Sequence, residues 1–391
     1  MKTSTNSYPL WLLTLAVALD VSAHILLFAI SSLTVLEIGG SQSQATLPYF
    51  FGFFGALLST LPISLAMSRK GRRPLFIAAH LIGAAGMLIM AWGYVNQSLI
   101  GLCLGEALFG VQMASGFFFR FAALELAAPG KEHRALGLVF LGGVAAAAFG
   151  PSMAEWSKNL YQGSFLGSYM ALAGLLLASA LVLSRIPMPH EAKPLAPIPW
   201  KKALSNRRFY PALIAGMGCY GVMTLFMSVT PMAMKHESLN FGAITLVIQW
   251  HLLGMFLPGP LTARLLERWG PRAILALGGF LYLGCFGASF AEPSMTGFLI
   301  ELTMLGLGWN FSYLAATEIL TKALRPGEEG VSQGFNEMVI LGTNCLISLS
   351  SGPLLAAIGW QGMHWVGLPL ILAILTVSLK SPARVAARQE V

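Results

Sequence analysis

The chain has 391 residues, 56% of them hydrophobic and only 10% charged, with a mean hydropathy of +0.70. That balance excludes a soluble globular domain. The net charge of +8 is scattered over many short segments rather than gathered on one face, so nucleic-acid binding has no support.

A helix needs about 20 apolar residues to cross the hydrocarbon core. Twelve such runs are expected, near 10–36, 46–67, 74–94, 98–118, 136–156, 163–184, 210–234, 242–266, 272–291, 295–318, 333–357 and 363–380. They contain Gly and Pro and do not alternate polar with apolar, which argues against a membrane β-barrel. The first run is too long for a signal peptide and lacks a small-residue cleavage site, so it is expected to be a mature span. Arg69, Lys70, Arg72, Arg73, Lys131, Arg134, Lys201, Lys202, Arg264, Arg268, Arg272 and Lys322 all fall in alternate loops on one side. Only Lys158 and Lys235 fall on the other. This bias predicts that both termini are cytoplasmic.

In the first run, Asp20 and His24 are four residues apart, about one helical turn. A buried acid in a span usually marks an ion pathway. Asp20, His24 and Glu106 of the fourth run are therefore candidates for proton coupling or relay, with a structural pairing as the alternative. The second and third runs are joined by SRKGRRP, Ser68–Pro74, containing Arg69, Gly71 and Arg72. The fifth contains GGVAAAAFGP, ending in Gly150 and Pro151. The segment Ser184–Arg208 is rich in Pro and basic residues, as a linker would be. It divides the chain into expected six-helix bundles, 1–184 and 209–391, joined by 185–208.

The eighth and ninth runs are joined by ERWGPR, containing Glu267, Arg268 and Gly270. It repeats the Arg-x-Gly spacing of the first loop at the equivalent place in the second half. Two six-helix repeats in an all-α membrane protein form a transporter architecture.

Met223 and Met227 are four apart in the seventh run, and His251 and Met255 are four apart in the eighth. Each pair would share a helix face near the midplane. Thioether and imidazole donors suit a soft monovalent cation, above all Cu(I). Core packing remains the alternative, since Met is common core filler. Cys103, Cys219, Cys285 and Cys345 lie inside runs without CxxC spacing, as apolar filler would. Glu301, Asn310, Asn336, Glu337 and Asn344 are expected to hydrogen-bond between helices. No hydrolytic or redox constellation and no P-loop is present. The chain therefore reads as a secondary transporter, with neither enzymatic activity nor a cofactor expected.

Over its whole length the chain resembles the major facilitator superfamily, with departures. Ser64 and Ser68 stand where that family's first loop signature has Gly and Asp, and Ala263 and Glu267 stand there in the second. Glu106 stands where the fourth helix usually has Arg, which departs from the drug/proton exchange pattern. The GGVAAAAFGP segment looks like the Gly-Pro motif often associated with antiporters. YGVMTLFMSVTPMAM, VIQWHLLGMFLPGPLTARLLERWG, FRFAALE, GWNFSYLAATEILTKALRP and QGFNEMVILG resemble the copper-importing CcoA-like branch. That branch carries Met-x-x-x-Met and His-x-x-x-Met signatures, here Met223, Met227, His251 and Met255. Relatives without those pairs are associated with riboflavin. The resemblance implies a monomeric transporter of a bacterial inner membrane, importing copper for cytochrome oxidase assembly. Uptake of a riboflavin-like molecule, drug/proton antiport, and a membrane metal sensor or assembly factor are the alternatives.

Overall fold

The structure is a computed structural model and describes residues 8–127, 132–161, 164–188, 206–290, 294–324 and 329–380. Among the described residues every regular element is a helix. The order is α1 (Tyr8–Glu37), α2 (Leu47–Lys70), α3 (Arg72–Val95), α4 (Leu99–Gly116), α5 (Phe119–Leu126), α6 (Glu132–Asn159) and α7 (Phe165–Ser184). There follow α8 (Tyr210–Met227), α9 (Thr230–His236), α10 (Phe241–Phe256), α11 (Gly259–Ala288), α12 (Met295–Ala323) and α13 (Glu329–Lys380). Most of the expected linker lies outside the described residues.

Local signals set the helix starts. Ser98, Ser164 and Ser294 accept backbone N–H groups of the first turns of α4, α7 and α12, satisfying donors that have no intrahelical partner. Proline stands in the first turn of α2, α9 and α11, where its missing N–H costs nothing.

Eight helical stretches are long and apolar enough to cross a membrane, or nine when the bent pair Gly137–Gly150 and Ser152–Asn159 counts as one. Two of them, Phe241–Ala288 and Gly334–Leu379, are 48 and 46 residues long. At 1.5 Å per residue each is roughly 70 Å of helix, about twice the hydrocarbon thickness. The second is interrupted at Gly359, where φ is 66°, and the stretch from Phe241 is interrupted at Gly270. These double stretches hold four of the expected runs, 242–266, 272–291, 333–357 and 363–380.

Three runs carry a short helix interruption inside one continuing apolar stretch. The seventh, expected to be continuous over 210–234, breaks between α8 and α9, because Pro231 cannot continue the incoming helix and instead starts a new one. The eighth breaks after Phe256, ahead of Pro258 and Pro260. The fourth ends at Gly116 and restarts as α5.

The chain forms two compact units. The first comprises Met1–Leu195, Met227–Gln249 and Ser348–Ala357. In it α1 packs against α6 and α7, and α4 against α2 and α3. The second comprises Ala196–Phe226, Trp250–Ile347 and Ile358–Val391, with α11 packed along α12.

The sequence repeat is also a structural one. Gly71 has φ 80° and ψ 166°, and Gly270 has φ 76° and ψ 165°, a region that only glycine occupies without strain. Two residues beyond each glycine stands an arginine. In the first unit Arg73 donates to the Ser184 carbonyl at the end of α7. In the second, Arg272 donates to the Ser378 carbonyl at 2.8 Å and to that of Leu379, at the end of α13. Each arginine thus satisfies carbonyls that the end of a helix leaves without intrahelical donors. Arg72 pairs with Glu125 of α5 at 2.8 Å. Arg69, Glu267 and Arg268 are exposed. Gly150 is buried on α6, where its Cα faces Ile25 of α1; Pro151 follows it in the helix.

Candidate functional site

Asp20 stands about 18 Å into α1, a 30-residue helix, and is buried. The Gln112 side-chain amide of α4 donates to its Oδ1. His80 of α3, fully buried, places Nε2 3.2 Å from the same oxygen. The other ring nitrogen of His80, Nδ1, lies 2.8 Å from the Phe76 carbonyl. A carbonyl can only accept, so Nδ1 carries a hydrogen. Nε2 lies close to the carboxylate without forming a hydrogen bond. A proton on either group would set a donor against an acceptor, and without one two acceptors face each other away from water.

The expected partner, His24, is placed differently. Its Nδ1 lies 2.9 Å from the Asp20 backbone carbonyl and 3.7 Å from the carboxylate, and its ring packs on Phe109 at 4.7 Å. The imidazole whose nitrogen comes nearest the carboxylate is that of His80, sixty positions away. In sequence it is one histidine inside an apolar run with no acid at helical spacing, so only packing reveals it.

Glu106 of α4 is buried and accepts from Ser31 Oγ of α1 at 2.5 Å. Gly52 of α2 lies against its side chain. It is a second buried acid in the first unit, tied to α1 by a hydroxyl.

In the second unit, His251 of α10 is fully buried. Its Nδ1 lies 2.8 Å from the Leu302 carbonyl of α12, so it too carries a hydrogen, and Nε2 is a buried lone pair with no hydrogen-bond partner. Gly306 makes this approach possible: a Cβ there would sit 2.1 Å from the His251 carbonyl oxygen. Met255 is buried one turn further on, and its carbonyl accepts from Asn310 at 2.7 Å. Met223, half-buried, is on α8 in this unit. Met227 is the last residue of α8, is buried, and is counted with the first unit. Among the described residues no three His, Cys, Asp or Glu side chains gather into a metal-holding group.

The sequence analysis did not single out a group of aromatic residues nearby. Trp309 and Tyr313 of α12 stack at 4.7 Å and 17°. Tyr220 of α8 meets both edge-on at 5.4 Å, and Phe256 of α10 lies 6.4 Å from Trp309. Trp309 is buried, and among the described residues its indole N–H has no hydrogen-bond partner. The signal for this group was present as GWNFSY, Gly308–Tyr313.

Residues 10–347 match the family model described as Major Facilitator Superfamily. The chain belongs to that family. It is 32% identical over 382 residues to the riboflavin transporter RfnT of Brucella anthropi, covering 93% of each chain. It is 23% identical to the uncharacterised MFS-type transporter YddS of Bacillus subtilis, over 89% of this chain and 85% of the other. Among solved structures, a bacterial homologue of the human lysosomal transporter Spinster superposes with a TM-score of 0.68 at 17% identity, over 97% of this chain and 94% of that one. The D323A mutant of the nucleoside transporter NupG gives 0.69 at 16% identity, over 95% and 98%. Their fold is shared. The chain is accordingly a multi-pass membrane transporter of that family.

Proposed function

We propose that the chain is a proton-driven secondary transporter of a small organic solute with a planar heteroaromatic ring, riboflavin-like in chemistry. The likeness to a riboflavin transporter over nearly the whole of both chains carries this reading. The aromatic group supports it: Trp309, Tyr313, Tyr220 and Phe256 offer faces and edges for a flat ring, and the unpartnered Trp309 N–H offers a donor for a ring carbonyl. Asp20 and His80 supply the proton that couples uptake to a gradient. The Lys/Arg bias supports a bacterial inner membrane with both termini cytoplasmic. The test is uptake of labelled riboflavin by proteoliposomes. The wild type should accumulate it, Trp309→Phe should weaken uptake by about tenfold through loss of one buried hydrogen bond, and Trp309→Leu should weaken it further. Uptake no faster than into empty liposomes would overturn the reading.

A second reading, copper import, is favoured by one observation: the His251 Nε2 lone pair is buried, unpartnered and one turn from Met255. A neutral imidazole held in a single tautomer is a ligand ready for a soft cation. The same vesicles loaded with labelled Cu(I) decide between the two. Copper accumulation lost in His251→Gln and Met255→Leu, without riboflavin uptake, would put copper first. Copper binding without uptake would favour a sensor or assembly factor.

A further inference from the structure

Glu301 of α12 and His364 of α13 are both buried, at 4% and 1% exposure. Glu301 lies about 9 Å from the start of α12, and His364 about 7.5 Å beyond the Gly359 break, on the reckoning of 1.5 Å per residue. His364 Nε2 is 3.5 Å from Glu301 Oε2. The indole N–H of Trp360 donates to the same Oε2 at 3.2 Å. His364 Nδ1 lies 3.0 Å from the Trp360 carbonyl, which can only accept, so Nδ1 carries a hydrogen.

The reasoning used for Asp20 then applies in the second unit. Nε2 makes no hydrogen bond, and with no further proton its lone pair lies beside a carboxylate oxygen that, among the described residues, accepts from the Trp360 indole alone. A proton gained by either group makes the pair carboxyl plus imidazole or carboxylate plus imidazolium, so that a donor faces an acceptor. Among the described residues no Lys or Arg pairs with Glu301 to hold it as a bare carboxylate. The neighbouring elements offer little charge. From α11 the titratable group that feels Glu301 is the Cys285 thiol. α8 contributes Phe226, an uncharged ring 4.6 Å from the His364 ring and 5.7 Å from that of Trp360. From α12 itself, Phe298 packs on Trp360 at 5.1 Å.

We infer that Glu301 and His364 form a second proton-binding site, in the second unit and separate from Asp20–His80, in contact with the end of α8 through Phe226. The step is a protonation: one proton enters or leaves the line between Oε2 and Nε2, and nothing else changes covalently. Because Phe226 and Trp360 rest on the imidazole, gain or loss of that proton alters the packing at the end of α8 and beside the left-handed turn at Gly359. The inference does not depend on which solute is carried.

Infrared difference spectra of the purified full chain, recorded across pH, test it without any substrate. The wild type should show a protonated-carboxyl band that titrates and is lost in Glu301→Gln but kept in Asp20→Asn. His364→Gln should keep the band and shift its midpoint by about one pH unit, a tenfold change in proton affinity. A purely structural role for the pair would leave titration unmoved. Spectra of Glu301→Gln superimposable on the wild type would overturn the inference, as would a His364→Gln midpoint equal to the wild type's. Should Glu301→Gln fail to fold, Glu301→Asp replaces it: a displaced band supports the site, and an undisplaced one overturns it.

Discussion

Replacing Asp20 with Asn tests proton coupling most directly. In the wild type Oδ1 accepts from Gln112 and lies 3.2 Å from His80 Nε2. The amide oxygen of Asn can still accept from Gln112, but it cannot take a proton. The side chain is therefore fixed in a neutral form, and His80 Nε2 is left facing an acceptor. One unsatisfied buried group costs about 1–3 kcal/mol, so the variant should fold with lowered stability. Transport should change more sharply. One pH unit is worth about 1.36 kcal/mol per proton. If one proton enters with each solute, a one-unit gradient sustains roughly tenfold accumulation, and Asp20→Asn should reduce that ratio to about one. Exchange of labelled for unlabelled solute across the same vesicles needs no net proton movement and should survive. His80→Gln should keep accumulation and shift its pH dependence, since the acid remains while its partner is lost. The reasoning fails if a well-folded Asp20→Asn protein accumulates solute tenfold with the wild-type pH profile.

Three further substitutions test the scaffold. Gly71→Ala and Gly270→Ala place a Cβ in backbone conformations with φ near 80° and ψ near 165°, and each should cost about 1–3 kcal/mol in thermal unfolding; equal melting curves would show that these loops relax without strain. Gly306→Ala sets a Cβ 2.1 Å from the His251 carbonyl oxygen, a backbone atom that cannot swing aside. It should separate α10 from α12, break the His251–Leu302 contact and cost about 1–3 kcal/mol, with loss of transport alongside; full activity would refute the tight approach.

Much of the scaffold was legible in the sequence because its causes are local. Apolar runs give spans by length, and Arg-x-Gly in both halves gives two loops that share one backbone conformation at Gly71 and Gly270. The helix breaks were also written there, as Pro231, Pro258 and Pro260, but run length alone hides a break inside a greasy stretch. Asp20 was found because a carboxylate in a span is rare. Its partner His80 was not, since a histidine among apolar residues has no spacing that points to an acid sixty residues earlier. Glu301 was read as a hydrogen-bond partner, and its Trp360 contact fits that reading. His364 adds an imidazole that only the packing of α12 on the last part of α13 brings within reach.

The histidine geometry separates two kinds of chemistry that composition cannot. His80 and His364 each lie with Nδ1 against the carbonyl four residues earlier, Phe76 or Trp360. That contact stays within one helix, so it fixes the ring whatever other helices do, and it leaves Nε2 for a carboxylate contributed by another helix. Such a nitrogen is matched to a proton. His251 is held across helices instead, by the Leu302 carbonyl of α12; its Nε2, like those of His80 and His364, makes no hydrogen bond, but among the described residues no carboxylate pairs with it as Asp20 and Glu301 do with those two. On the two proposed readings, that nitrogen would meet a donor on a flat organic ring, or a soft cation with Met255 beside it. The two readings of substrate therefore meet at one nitrogen. His251→Gln keeps a polar side chain there but replaces the imidazole lone pair with an amide. Solute uptake surviving that change while copper uptake vanishes, or the reverse, would assign the nitrogen, and proton coupling through Asp20 would be unaffected by either result.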